Sequence, residues 1–361
     1  MQTIITLPED LAELAARIAG ARAIALDTEF LRERTYRAEL CLVQIASERG
    51  PVCVDPLALA DLTPLAQPLT APTPRIVMHA SRQDIEVLLP AVGLVRPVFD
   101  TQIAAALAGL PAQIGYAELV RRLLGVELPK AHTRTDWSAR PLSPEQLAYA
   151  LDDVRYLLPL EEHLTAELER LGRSAWLDEE LAVLAHASAY AVEPQSAWLR
   201  VKGLRGLDGP RARLARELAA WRERRAIERN RPRGWILDDA SLRELVIAAP
   251  RSAAELAQIT AVPASVVRHC AAEILASIRA ADLPEALPPL GGRGRPDAAR
   301  SALIKKLGTV QRAVAEELAL SPEILATRRD LERLAEGERD SLAPLSGWRR
   351  AIIGERLLAA L

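Results

Sequence analysis

The stretch AIALDTEF, residues 23–30, decides how the chain is read. Ala23, Ile24, Ala25 and Leu26 read as a buried strand, yet the run ends in Asp27 and Glu29, two carboxylates one residue apart. Burying charge costs several kcal/mol unless a partner offsets it. Residues i and i+2 of a strand share a face, so the two acids meet on one side while Thr28 faces the other. Carboxylates brought together repel, and each keeps its proton to higher pH unless a cation neutralises the site. Oxygen-only ligation of such a site favours Mg2+ or Mn2+. Taken alone, the pair reads first as two solvated acids at a strand end.

Outward from this strand, LCLVQIA and PVCVD follow at short spacing, which predicts consecutive antiparallel strands. RIVMHA predicts a fourth strand, and a helix with Ser81 as its N-cap comes next. Further helices are expected near 101–109 and 115–124. The polar stretch PKAHTRTDWSARP (129–141) then leads to SPEQLAYALDDVRYLLPLEEHLTAELER, where Ser143 caps, Pro144 takes the first helical position and Glu145 adds a first-turn acid. Pro159 is expected to kink this long helix.

Two features tilt the reading of the acid pair. HASRQDIEVL sets Asp84 one turn into the helix after the fourth strand, and YALDD sets Tyr149 and Asp153 at i and i+4 on one helical face. Asp152 lies one position round, toward solvent. Asp27, Glu29, Asp84 and Asp153 can then converge, and their summed charge matches two divalent cations. Such a pair, roughly 3.5–4 Å apart, activates a water and stabilises the leaving oxygen of a phosphodiester.

The ordered set DTEF, HASRQD and YALDD resembles the DEDD superfamily of 3′-to-5′ exonucleases. Tyrosine four residues before the last acid is similar to its tyrosine-type branch; the other branch carries a histidine near there, a place none of the five His occupies. DTEFLRERTYRAELCLVQIA and RTDWSARPLSPEQLAYALDDVRYL resemble the ribonuclease D family in particular. The resemblance implies a ribonuclease H-like fold, an α/β mixed sheet flanked by helices with the strand of Asp27 central. It also implies metal ligation by Asp27, Glu29, Asp84 and Asp153, and a Tyr149 hydroxyl that orients the attacking water. Asp136, in RTDW, is expected to anchor its loop through a salt bridge. Candidate substrate contacts are Thr28, Phe30, His79 and Trp137. Phe30 reads by default as core, or else as a ring stacked on the terminal base. His79 reads as a satisfied strand-end histidine or a phosphate contact, and Trp137 as a wedge near the substrate.

With 361 residues, half of them hydrophobic, the chain can build two or three cored domains, and its composition excludes disorder. No apolar run approaches the roughly 20 residues a membrane span needs. Cys41, Cys53 and Cys270 are scattered without CxxC spacing, which predicts reduced core thiols in the cytoplasm. Residues 1–170 hold 16 Lys/Arg against 23 Asp/Glu, whereas residues 171–361 hold 30 against 25. Arg200 to Arg233 alone carries 12 basic and four acidic residues. Helical spacing from RLARELAAWRERRAIERN onward predicts a solvated amphipathic helix, and LPEALPPLGGRGRPD (283–297) a linker. Three domains are expected: an exonuclease domain (1–175) and two small helical bundles (195–282 and 296–361) that resemble the HRDC modules shared with RecQ-type helicases.

A basic helical surface attracts phosphates without reading sequence. The expected activity is therefore metal-dependent 3′-5′ exoribonuclease action on single-stranded 3′ ends, releasing nucleoside 5′-monophosphates. The resemblance implies trimming of tRNA precursors and other small structured RNAs. A DNA exonuclease on the same fold and a catalytically silent RNA-binding protein are the alternatives. A helicase is excluded, since no GxxxxGK[ST] loop occurs.

Overall fold

A computed structural model describes residues 4–129, 135–204, 207, 209–281 and 298–361. The linker expected at 283–297 and the first part of the polar stretch, 130–134, lie outside the described residues. Packing divides the chain into two compact units, one of Met1–Leu31, Leu40–Tyr190 and Asp297–Leu361, the other of Arg32–Glu39 and Ala191–Pro296.

The larger unit is built on a six-stranded sheet: β1 (Ile4–Ile5), β2 (Ala23–Leu31), β3 (Glu39–Ser47), β4 (Gly50–Val54), β5 (Arg75–Met78) and β6 (Val98–Asp100), in the order β1-β4-β3-β2-β5-β6. β3 and β4 are antiparallel, as the close spacing of their sequences predicts. β2 pairs β5 in parallel, and β5 pairs β6 in parallel. β2 thus sits in the middle of the sheet. Two strands went unread in the sequence, β1 and β6, each too short for a visible alternation.

Alternation along β2 sends its side chains into two different cores. Ile24 and Leu26 pack with Ile76 and Met78 under α1 (Pro8–Ala19), α2 (Thr63–Thr70) and α3 (Arg82–Val92). Ala23 and Ala25 face the opposite core. That core is made by α4 (Thr101–Leu107), α5 (Tyr116–Leu124), α6 (Pro144–Arg155), α7 (Leu157–Leu171) and α8 (Ser174–Ala182). Small alanines on that side let the long leucines Leu160, Leu164 and Leu168 of α7 lie close to the sheet.

The same core is completed from the end of the chain. Leu307 and Val314 of α14 (Ala298–Glu317), Leu331 and Leu334 of α16 (Arg328–Ala335) and Trp348 belong to one apolar cluster with Val77 and Leu164. Trp348 stacks on Trp176 of α8 with ring centroids 4.3 Å apart and planes 9° from parallel. Arg173, buried, donates to the carbonyls of Leu107 at 2.7 Å and Leu318 at 2.6 Å. Residues 298–361, within the 296–361 stretch expected as a domain of its own, therefore share the larger unit's core. Their amphipathic pattern shows an apolar face, and only tertiary packing says what covers it.

The smaller unit gathers α9 (Gly209–Arg229), α10 (Arg233–Ile236), α11 (Asp239–Ala248), α12 (Ala253–Ala257) and α13 (Ala264–Ala281) around Trp198, Leu218, Trp221, Leu242 and Ile274. α9 is a central helix rather than the solvated one expected. Even Arg222 and Glu223 on it are buried. Arg222 donates to the Leu237 carbonyl at 3.0 Å and to Asp239 at 2.8 Å. Glu223 accepts from Arg233 at 2.5 and 2.8 Å and from the Tyr36 hydroxyl. Part of the basic excess is thus internal ion pairing.

Candidate active site

Asp27 and Glu29 lie in the second half of β2, both partly exposed where the apolar run stops. They follow Ala23 and Ala25 in alternation, so they face the side of α6 and α7, while Thr28 is buried toward α3. The Thr28 hydroxyl donates to Asp84 at 2.5 Å. This corrects its reading as a substrate contact, since the group is spent on holding an acid.

Asp84 lies in the first turn of α3, where a carboxylate is favoured by the helix's unpaired N–H groups. It is buried, 7% exposed. The turn that delivers it is held from below by Asp100, which the sequence reading missed. Asp100 accepts from Ala80 N at 3.1 Å and from Ser81 N and Oγ at 2.8 Å, and also caps α4 through Gln102 N and Ile103 N. Ser81 therefore does not cap α3 as expected; its hydroxyl donates to Asp100 instead. The one sequence signal for Asp100 was its place immediately before a helix start.

The fourth acid comes on α6, whose start is the capping box Ser143–Gln146 with Pro144 at the first position. In place of a kink at Pro159, the helix breaks at Tyr156 and α7 begins, with Pro159 in its first turn. A tertiary contact sits at the break. The Tyr116 hydroxyl donates to the Asp152 carbonyl at 2.9 Å and accepts from Tyr156 N at 3.2 Å. Asp152 pairs with Arg155 at the surface, at 2.8 Å. Asp153 points to the acids of β2, and the Tyr149 hydroxyl bonds to it.

Each acid bears on the others. Burial first, then Asp84, Asp153 and Glu29, hold the Asp27 carboxyl well above the usual range. Burial and the same neighbours push Glu29 up to about 8. Burial also raises Asp84 to about 6, against the Thr28 bond, and Asp153 to about 7, against the Tyr149 bond. The Tyr149 phenol is raised by burial and then by Asp153 and Glu29, so it stays protonated. Among the described residues no three acidic, imidazole or thiol groups close around one point. The fit to a cation rests instead on the donor set, four carboxylates whose oxygens suit a hard divalent ion and whose mutual repulsion it relieves.

The remaining candidates divide. Phe30 is partly exposed and belongs to no apolar cluster among the described residues, so its default reading as core does not hold. His79 is satisfied at both ring nitrogens, by Thr101 Oγ1 at 2.9 Å and the Ile114 carbonyl at 3.0 Å, and is not placed to meet phosphate. Trp137 is buried, 5% exposed, with Cys41, Leu42, Leu142 and Leu151, so it is no wedge. Its ring lies 6.1 Å from that of Tyr149, behind it. Asp136 makes a local turn, accepting from Ser138 N at 2.9 Å and Oγ at 2.6 Å, and the expected salt bridge has no partner among the described residues. Arg140 is the anchor of that loop. It grips Asp55 at 2.6 and 2.7 Å and donates to the carbonyls of Cys41 and Trp137 at 2.7 and 2.8 Å.

A family profile described as 3′-5′ exonuclease matches residues 2–169, and one for the HRDC domain matches residues 211–278. Fold and site thus define a 3′-5′ exonuclease with a helical accessory domain. Ribonuclease D of Acidiphilium cryptum is 41% identical over 364 residues, covering 98% of this chain and 92% of its own. Ribonuclease D of Jannaschia sp. is 40% identical, covering 100% and 95%. The crystal structure of Escherichia coli RNase D, an exoribonuclease involved in structured RNA processing, has a TM-score of 0.87 at 32% identity and covers 100% of this chain and 98% of that one. The chain belongs to the ribonuclease D family, and it is a hydrolytic 3′-5′ exoribonuclease dependent on divalent metal.

Proposed function

We propose that Asp27, Glu29, Asp84 and Asp153 hold two divalent ions, Mg2+ or Mn2+, and that Tyr149 aligns the water that attacks the last phosphodiester. What supports this most is the mutual field of the four acids of β2, α3 and α6, which lie near enough to raise one another's carboxyls. Divalent metal bound there lowers the pKa of water and offsets charge on the phosphodiester and its leaving 3′ oxygen. Tyr149 remains a neutral phenol whose proton is given to Asp153, which leaves its oxygen lone pairs to accept from and orient the water. Thr28 holds Asp84 in place. Phe30 stacks on the terminal base, a contact open to every base.

The substrate in this reading is a single-stranded 3′ end on a structured RNA, tRNA precursors among them, released as nucleoside 5′-monophosphates. The setting is the cytoplasm, where the three buried free cysteines stay reduced. The test is release of labelled nucleotide from a 3′-labelled RNA and its DNA counterpart, with Mg2+, Mn2+ or chelator, by wild type and Asp153→Ala. Metal-dependent mononucleotide release from RNA, reduced on the order of a thousandfold in the variant, is expected. Equal rates on DNA would overturn the RNA assignment, and binding without release in either metal would overturn the site.

A further inference from the structure

β3 carries one amide in the middle of an apolar run, Gln44 of LCLVQIA. The residues on either side fix its direction. Val43 and Ile45 share a core with Ile24 and Leu26, whereas Ala46 shares one with Ala23 and Ala25. Gln44 therefore faces the side to which alternation sends Asp27 and Glu29. β3 lies next to β2 in the sheet, and the short connection from Leu31 to Glu39 makes the two antiparallel. Counted from that connection, Gln44 is sixth in β3 and Leu26 is sixth in β2. The residues of β2 nearest to Gln44 on its own face are then Ala25 and Asp27. Gln44 is wholly buried, and among the described residues neither Oε1 nor Nε2 has a hydrogen-bond partner. An amide enclosed in this way destabilises the fold relative to an apolar side chain of the same shape.

We propose that Gln44 is a positioning residue of the nuclease site, whose Nε2–H donates to the Asp27 carboxylate and holds that acid for its metal ion. Two of the four acids already have a side-chain donor of this kind, the Thr28 hydroxyl for Asp84 and the Tyr149 hydroxyl for Asp153. Gln44 supplies the third, from the strand beside Asp27. An ionised carboxylate offers about four lone-pair sites on two oxygens, which leaves room for an amide donor beside a cation. The bond is charge-assisted, about twice as strong as one between neutral groups. Bonds from outside onto a ligating carboxylate orient it and set how tightly a site holds its metal. The amide thus weakens the metal-free fold and strengthens the metal-bound one. This inference rests on Asp27 being a metal ligand, and its test is separable from that reading.

Gln44→Met, Gln44→Leu and Asp27→Asn are compared with wild type, each as the full chain. In chelator, both Gln44 variants melt no lower than wild type and up to about 4 °C higher, since the unpaired amide is gone. Mn2+ is then titrated into the RNA-free protein, with the free ion read by electron paramagnetic resonance. Gln44→Met binds it about tenfold more weakly than wild type. On 3′-labelled RNA, the Mn2+ concentration for half-maximal rate rises by a similar factor, and saturating Mn2+ restores kcat to within about threefold. A residue that only fills the core would do the reverse, lowering the midpoint and leaving Mn2+ affinity alone. A midpoint lowered in both Gln44 variants would therefore overturn the proposal, as would Mn2+ affinity within about twofold of wild type in Gln44→Met. Wild-type Mn2+ affinity in Asp27→Asn would sink the metal role of Asp27 and this inference with it. A loss in Asp27→Asn with none in Gln44→Met sinks the inference alone.

Discussion

Asp27, Glu29, Asp84 and Asp153 share a consequence for stability because all four hold protons in the folded chain to higher pH than they do unfolded, where such acids titrate near 4. Between about pH 4 and the folded values the native state binds more protons, so stability falls as pH rises. The fall runs through about 6 for Asp84, 7 for Asp153 and 8 for Glu29, and Asp27, raised as well, adds to it. In chelator, the thermal midpoint should decrease from pH 5 to pH 8, Asp27→Asn should flatten the decrease, and Mg2+ or Mn2+ at pH 8 should reverse it. Melting curves at four pH values, with and without metal, check this; a midpoint indifferent to pH in chelator contradicts it. These acids were legible in the sequence only as an ordered set: Asp27 and Glu29 alone read as solvated, and Asp84 with the i, i+4 spacing of Tyr149 and Asp153 tilts that reading. His79 and Trp137 were not. What decides between a ring in a substrate cleft and a ring behind Tyr149 is the direction of the side chain in the folded loop, which spacing does not encode.

At the scale of elements, α6 was legible at its start and opaque at its end. Ser143, Pro144 and Gln146 satisfy the first N–H groups locally, a property of four adjacent residues. The break at Tyr156 involves the hydroxyl of Tyr116, forty positions away in sequence. The loop before α6 behaves in the same way. Its anchor is Arg140 on Asp55, whose carboxyl is 4% exposed and held below the usual range against the cost of its burial. Arg140→Gln leaves that carboxylate buried and unpaired, and about 2–3 kcal/mol of stability should be lost, less than for a fully enclosed pair because Arg140 is partly solvated. The loop also carries Trp137 against Tyr149, so kcat should fall further than KM rises. Arg140→Lys should recover little, having no fork to match the two carboxylate oxygens. Denaturant titration with steady-state kinetics checks both effects, and a variant with normal kcat would detach the loop from Tyr149.

For the whole molecule, the sequence reading counted three domains where packing forms two units, because an amphipathic helix announces an apolar face without naming its partner. Trp348 makes the difference measurable. It is buried and stacked on Trp176, with its N–H on Glu179 at 2.8 Å and its indole N–H on Glu180 at 2.8 Å. Trp348→Ala should cost about 3–5 kcal/mol and lower the temperature at which nuclease activity is lost. Trp235→Ala, at an exposed site, should leave that temperature unchanged. Thermal inactivation of the two variants side by side separates a closing piece of the nuclease from a separate appendage.

The shared core also sets a timetable for the newborn chain. The last acid of the site, Asp153, has been translated long before Leu307, Leu331 and Trp348, whose side chains complete the core beneath it. At about 5–20 residues per second the wait is on the order of ten to forty seconds. A message cut short anywhere in that interval yields all four acids without the packing that holds their helices. A chain truncated before residue 298 should therefore show less nuclease activity than the 361-residue chain, and assaying the two side by side checks this.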